Sequence, residues 1–272
     1  DGMTIDEFPA WVRSGNWKAL KQQLVTGCYQ PSPVRRVEIA KPDGGTRQLG
    51  IPTVTDRVIQ QAIAQVLTPI FDPDFSEHSF GFRPGRNGQQ AVKQVQSIIK
   101  EGRRFAVDVD LSKFFDRVNH DLLMTRLGDK VKDKRLLKLI KRYLRAGFID
   151  NQFKGESRVG VPQGGPLSPL LANIMLDSLD KELEKRGHKF ARYADDFTIL
   201  VKSQRAGERV LRSISQYLQS RLKLVVNTDK SRVVKTNESQ FLGFTFKANR
   251  IDWHPKTLLK FKQNVRKLTN RN

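Results

Sequence analysis

The sequence predicts an α+β protein, with an antiparallel sheet covered on one face by helices as in split βαβ, ferredoxin-like architectures. Three observations lead there. Residues 104–111 alternate apolar and polar side chains, placing Phe105, Val107 and Val109 on one face and Asp108 and Asp110 on the other. Residues 189–202 read as a hairpin, with Arg192-Tyr193-Ala194 before the adjacent carboxylates Asp195 and Asp196 and an apolar strand, residues 197–201, after them. Helical patterns fall near 119–128, 133–145, 168–185 and 206–222, and short strands near 231–235 and 240–246. The face of the sheet bearing the carboxylates is expected to stay open for a ligand.

The N-terminal elements follow from local signals. Thr4-Ile5-Asp6-Glu7 has capping-box spacing and opens a short helix carrying Phe8, Trp11 and Val12, while Trp17, Leu20 and Leu24 mark a second. Residues 34–51 read as two strands around the Gly-rich basic turn Lys41-Pro42-Asp43-Gly44-Gly45-Thr46-Arg47. Thr55 is expected to cap a helix whose core stripe holds Val58, Ile59, Ala62, Ile63, Val66, Leu67 and Ile70. A loop through Ser79-Phe80-Gly81-Phe82-Arg83-Pro84-Gly85-Arg86 precedes a helix through Ala91, Val95, Ile98 and Ile99, which Gly102 ends. Three regions are therefore expected: a mixed basic unit over 1–103, the sheet with its acids over 104–250, and a basic amphipathic helix over 251–272 that carries Leu258, Phe261, Val265 and Leu268.

Composition narrows the partner. Lys and Arg number 49 against 28 Asp and Glu, a net charge of +21, so the partner should be strongly anionic, with nucleic acid ahead of an anionic membrane. The single cysteine, Cys28, excludes an internal disulfide and suits a reducing compartment. His78, His120, His188 and His254 have no zinc-like spacing and read as surface or internally satisfied residues. No apolar run reaches membrane-spanning length, and the chain opens without a secretory pattern; a cytoplasmic, nucleic-acid-associated protein is expected.

Two adjacent carboxylates at a tight bend repel each other and lack the Gly that favoured hairpin turns use, so chemistry is the simplest reason for them. With Asp110 they bring three carboxylates from two strands toward a site suited to a divalent metal.

Taken together, the motifs resemble those of reverse transcriptases, most closely the bacterial group II intron-encoded kind. The matching segments run in the family's order over roughly residues 35–272. They are Gly50-Ile51-Pro52-Thr53-Val54-Thr55-Asp56-Arg57, Gly81-Phe82-Arg83-Pro84-Gly85-Arg86, residues 110–116, Val161-Pro162-Gln163-Gly164-Gly165-Pro166-Leu167-Ser168-Pro169, Tyr193-Ala194-Asp195-Asp196 and Phe241-Leu242-Gly243-Phe244. Tyr-Ala-Asp-Asp alone is a weak pattern; its order and spacing with the other segments make it specific.

The resemblance implies fingers over 1–103, a palm over 104–250, parts of the fingers being inserted in it, and the start of a thumb helix over 251–272. It also implies that Asp110, Asp195 and Asp196 hold two Mg²⁺ ions, with Mn²⁺ as a substitute, for transfer of deoxynucleotides onto a primer 3′-hydroxyl on an RNA template. Asp196 is the looser ligand in such sites, and Asp108 and Asp116 read as structural. Lys41 and Arg47 match the basic positions that grip the triphosphate, and Lys230 resembles a lysine acting as an acid near pyrophosphate. Phe115 corresponds to a ring that bars the 2′-hydroxyl of ribonucleotides, and if the preceding strand continues, Phe114 and Phe115 point opposite ways, so that one of them belongs to the core. Gln163 is expected at the nucleotide or template, Gly164 and Gly165 where a base pair lies on backbone, and Arg83 and Arg86 on template phosphates.

The implied partners are an RNA template, a DNA primer, deoxynucleotides and the group II intron RNA, with no membrane; a homodimer is not readable. Group II intron proteins usually continue into a thumb and maturase region, so the chain is expected to be a fingers-and-palm portion. Two alternatives stay open: an intron-RNA-binding splicing cofactor in which polymerisation is secondary, and a defence-associated reverse transcriptase.

Overall fold

A computed structural model describes residues 2–40, 45–150, 153–155, 158–247 and 250–269. The short helix α1 (Phe8–Trp11) passes through a wide turn kinked at Gly15 into α2 (Trp17–Val25). Strands β1 (Val34–Ala40) and β2 (Thr46–Ile51) come next, then α3 (Val54–Phe71), α4 (Gly88–Lys100) and β3 (Phe105–Val109). Helices α5 (Phe114–Arg117), α6 (His120–Lys130) and α7 (Lys134–Arg145) lead to the short strands β4 (Phe148–Asp150) and β5 (Phe153–Gly155). The chain continues as α8 (Ser168–Lys185), β6 (Lys189–Tyr193), β7 (Asp196–Val201), α9 (Gln204–Arg221) and β8 (Arg232–Lys235). It closes with β9 (Phe244–Lys247), β10 (Arg250–Trp253) and α10 (Pro255–Thr269).

These elements form two compact units, each made of two stretches of chain: 1–74 with 113–175, and 75–112 with 176–272. Residues 75–103, expected with the N-terminal region, thus pack with the acidic sheet, and residues 113–175 pack with the N-terminal hairpin.

In the first unit the sheet order is β2-β1-β4-β5. β1 and β2 are antiparallel from Arg35↔Ile51 to Ala40↔Thr46, and β4 joins β1 in parallel. β4 and β5 have three residues each, too few for a period to show in sequence. Helix α3 begins two residues earlier than expected. Thr53, not Thr55, is its cap, accepting from the Asp56 N–H at 3.1 Å while its hydroxyl donates to Asp56 Oδ2 at 2.8 Å. The buried stripe is accordingly Ile59, Ile63, Ala64, Leu67 and Phe71, whereas Val66 and Ile70 are 59% and 43% exposed. Asp56 itself is buried and accepts from the Tyr29 hydroxyl at 2.7 Å, the Tyr143 hydroxyl at 3.0 Å and the Ser32 N–H at 3.1 Å. One carboxylate thereby joins α3, α7 and the segment before β1, satisfying the buried-polar rule with four donors.

The second unit holds the acidic sheet, order β6-β7-β3-β8, antiparallel throughout. Counting β3, β6, β7 and β8 as strands one to four, the order is 2-3-1-4, the ferredoxin-like arrangement. Both faces receive a helix, which refines the expectation of a bare face. Ala106, Ala191 and Leu200 pack with Val95 and Ile98 of α4, while Gly207 of α9 lies against Val107 and Val233. Successive residues of a strand point to opposite faces, so α4 and α9 cover opposite sides. The cause is legible in β7: its residues after Asp196 are all buried, the pattern of a strand covered twice. Only the end of the carboxylate face remains for a ligand. Helix α10 forms as expected, yet none of its residues is buried, and its apolar side, including Phe261 and Leu268, is exposed.

Candidate active site

The acidic turn is built by register. Tyr193 pairs with Asp196, leaving Ala194 and Asp195 as a two-residue connection between β6 and β7. Ala194 takes φ 58 without being glycine, a conformation that costs an L-residue roughly 1–2 kcal/mol. What holds it is Arg192, fully buried two residues earlier. Its Nε and Nη2 grip Asp180 of α8 at 2.7 and 2.5 Å, Nη1 donates to the Ala194 carbonyl at 2.8 Å, and Nη2 donates to Ser79 Oγ at 2.8 Å. Residues 78–81 brace the same strand from the other side: the Phe80 N–H donates to the Arg192 carbonyl and the Arg192 N–H to the His78 carbonyl, both at 2.9 Å. Gly81 lies so close that a Cβ there would sit 2.3 Å from the Ala194 nitrogen. Glycine at 81 is required by that approach.

Next to this turn stands the end of β3. Val109 pairs with Phe197, so the next step of the register sets Asp110 beside Asp196. The Asp110 backbone is clasped by the turn that follows Val226: the Asn227 N–H donates to the Asp110 carbonyl at 2.8 Å, and the Asp110 N–H donates to Ser231 Oγ at 3.0 Å. Behind it, Asp108 accepts from Thr198 Oγ1 at 3.0 Å and Ser239 Oγ at 2.9 Å, while burial pushes its carboxyl above the usual range. Asp196 keeps a solvent-exposed edge, but its carboxyl sits in this crowded floor. Desolvation, then the charges of Asp108, Asp195 and Asp110, push it up to about 7 against a lowering bond from the Leu242 backbone.

Among the described residues no three Asp, Glu, His or Cys side chains form a closed metal cage. The donors nevertheless fit a hard divalent cation: oxygen ligands on adjoining strand ends, one of them raised by desolvation and then by its neighbours' charge. The site is an array that an ion would draw together.

The first unit has an open cleft of about 280 Å³ lined by Arg36, Gln48, Gly50, Lys113, Phe115 and Gln163, among others. Its floor depends on close backbone contacts. The Gly50 N–H donates to the Gln163 carbonyl at 2.7 Å, and Gly164, at φ 120, lies where a Cβ would meet the Gly50 carbonyl oxygen at 2.8 Å. Phe114 and Phe115 belong to helix α5 and not to a continuing strand, so their divergence comes from helical rotation; Phe114 is buried and Phe115 half-buried at the cleft. Arg36 stacks over the Phe148 ring at 3.3 Å, which fixes its guanidinium at the cleft wall.

The expected residues therefore separate. Asp110, Asp195 and Asp196 come together, and Phe115 and Gln163 share the cleft. Arg47 is exposed on β2, whereas Lys41 lies outside the described residues. Lys230 is exposed in the turn that clasps Asp110. Arg83, expected on template phosphates, is buried, its Nη1 donating to the Ser76 and Ser79 carbonyls at 2.6 and 2.8 Å, so it rigidifies the brace under the acidic turn. Arg86 pairs with Glu77, whose carboxyl it holds below the usual range. Gly165 is buried, with a Cβ position 2.4 Å from Gln60 Oε1. Gly164 is exposed, its glycine requirement arising from Gly50. Sequence reasoning missed Arg192, Asp180, Arg36, Gln48 and Lys113. Arg192 had one signal, a charge in the interior of a strand next to Phe190 and Ala191.

The family model for reverse transcriptase (RNA-dependent DNA polymerase) matches residues 39–246. The chain is similar to Protein YkfC of Escherichia coli K12, 34% identical over 85% of this chain and 70% of that protein. It is also similar to the group II intron-encoded protein LtrA of Lactococcus lactis subsp. cremoris, 30% identical over 86% of this chain, and spans about half (50%) of LtrA's length. Among solved structures, a truncated apo telomerase from Candida tropicalis superposes with a TM-score of 0.62 at 13% identity, over 88% of this chain and 60% of that one, a likeness of fold.

The raised Asp196 carboxyl makes a prediction with a definite sign. In metal-free protein this group favours the folded state below its unfolded pKa, and that contribution is lost as pH rises through about 7. A divalent cation competes with its proton, so magnesium should raise the melting temperature more at about pH 8 than at about pH 6. Melts with and without magnesium check this; an equal shift at both pH values would contradict it.

Proposed function

This chain belongs to the reverse transcriptase (RNA-dependent DNA polymerase) family, and from that membership we propose that Asp110, Asp195 and Asp196 carry magnesium-dependent addition of deoxynucleotides to a primer 3′-hydroxyl on an RNA template, in the service of a group II intron. The observation that carries the reading is the array itself: carboxylates from two adjoining strand ends, crowded enough to push Asp196 up to about 7. Isolated surface acids have no reason to be assembled at such an electrostatic cost. Likeness to LtrA supports the intron assignment.

Divalent ions bound there lower the pKa of an attacking hydroxyl and neutralise the charge on a triphosphate and its leaving pyrophosphate, with Mn²⁺ able to replace Mg²⁺. The protein's own part is placement. Asp110 is fixed by the Asn227 and Ser231 bonds to its backbone, and Asp195 by the Arg192-held turn. Lys230 is carried on the Asn227 to Ser231 turn, where a cation suits departing pyrophosphate. Arg47, with Lys41, supplies charge for triphosphate, Arg offering a fork and Lys a point charge. Phe115 and Gln163 line the cleft, the ring serving to exclude a ribose 2′-hydroxyl and the amide to meet the nucleotide. Arg86 and Gly164, both on the surface side of their loops, remain the proposed template contacts.

Two experiments test the proposal. Asp195→Asn should lower primer extension by about a thousandfold or more while leaving RNA binding intact; extension at the parental rate would remove the metal assignment. Phe115→Ala should raise ribonucleotide incorporation relative to deoxynucleotide by about tenfold or more, the discrimination that one steric clash supplies. Unchanged sugar selectivity would remove Phe115 from that role.

A further inference from the structure

Helix α7 has the sequence Lys-Arg-Leu-Leu-Lys-Leu-Ile-Lys-Arg-Tyr-Leu-Arg and contains no acidic residue. Its apolar side is spent on the core, with Ile140, Tyr143 and Leu144 buried. The cations then divide by direction. Arg142 reaches inward, its Nη1 donating to the Gly27 and Tyr29 carbonyls at 2.6 and 2.8 Å, and Arg135 donates to the Val25 carbonyl at 3.1 Å. Both are structural. The remaining four, Lys134, Lys138, Lys141 and Arg145, recur at i, i+4, i+7 and i+11, which at 100° per residue confines them to an arc of about 60° over a length of about 16 Å.

None of these four has an ion-pair or hydrogen-bond partner among the described residues. Elsewhere the protein does pair its surface cations, as in Lys130 with Asp74, Lys181 with Asp177 and Arg186 with Glu182. The acid next to the stripe in sequence, Asp133, is already occupied in capping α7 and in facing Arg135. Like charges at helical neighbour spacing destabilise a helix, and Lys134 at the first helical position also opposes the helix dipole. A straight, uncompensated row of cations is the arrangement that a polyanion neutralises.

We propose that the outward stripe of α7, formed by Lys134, Lys138, Lys141 and Arg145, docks the phosphate backbone of folded RNA. None of the four lines the Phe115 and Gln163 cleft, so the stripe is a second nucleic-acid surface and not part of that pocket. The choice of RNA over other polyanions rests on the reverse-transcriptase reading; the stripe itself does not. Contacts are to phosphate, so the surface positions the RNA and carries little sequence preference.

The test combines Lys134→Gln, Lys138→Gln, Lys141→Gln and Arg145→Gln in one protein. It is compared with the parent and with Asp195→Asn for binding of an unprimed RNA hairpin across a salt series, and for primer extension. The fourfold variant should weaken hairpin binding by about tenfold or more at moderate salt and reduce the salt slope by about 3, near one unit per lost phosphate contact. Its extension rate at saturating primer–template and its melting temperature should stay at parental values, while Asp195→Asn should show the reverse pattern. An unchanged slope would overturn the proposal, as would a loss confined to primer–template binding with the hairpin still bound. A lower melting temperature in the fourfold variant would also overturn it, by showing the stripe to be structural. Absence of extension in the parent, with the hairpin still bound, would sink the polymerase reading while leaving the stripe intact, and extension surviving in Asp195→Asn would remove only the metal assignment.

Discussion

The acidic site depends on one buried ion pair. Arg192 and Asp180 are both fully buried, and two charges removed from water carry a desolvation cost that only good geometry offsets. Here the carboxylate is gripped by two guanidinium nitrogens, and the guanidinium also bonds Ser79 Oγ and the Ala194 carbonyl. The last bond explains the arrangement's use. It reaches from a strand interior to the turn two residues on and holds a non-glycine residue left-handed, so that Asp195 and Asp196 emerge beside Asp110. Breaking such a pair leaves one charge uncompensated, which costs about 3–5 kcal/mol.

The supports around it follow the same logic. Residues 78–81 run along β6, Arg83 caps the Ser79 carbonyl in that segment and the Ser76 carbonyl before it, and Gly81 admits the turn's backbone at a distance no side chain permits. A segment that reads as a basic, template-facing loop is largely a brace. The turn Phe241-Leu242-Gly243-Phe244 closes the floor from another side, with Leu242 and Gly243 both left-handed and Phe241 and Phe244 exchanging two backbone bonds. Strain collects where the acids are, as it does at sites over-determined by their surroundings.

Much of this was legible in the sequence, and the reasons are physical. Alternation along residues 104–110 and the apolar strand after Asp196 report directly on strand geometry, so β3, β6 and β7 could be placed along with the three acids. The stripe of Ala91, Val95, Ile98 and Ile99 likewise marks α4, whereas its Asn87 cap emerges from the structure. Other features have no local signature. Asp180 and Arg192 lie twelve residues apart on different elements, so their pairing appears only once α8 packs beside β6. Phe114 and Phe115 follow a strand that ends at Val109, and Lys113, with a left-handed φ of 49, precedes the helical turn that carries them. The strands β4 and β5 are too short to carry a period, and Val66 and Ile70 show that an apolar stripe does not reveal which part of it a partner covers.

The most direct test of this account is a manganese titration of the parent and Asp180→Asn, under conditions where both melt cooperatively. If the Arg192 clamp sets the positions of Asp195 and Asp196, the substitution should weaken manganese binding by about tenfold or more although residue 180 is not itself a ligand, the scale of loss expected when the groups orienting metal ligands are changed. Equal affinity in the two proteins, with the variant folded, would show that the acids are placed by something other than this ion pair.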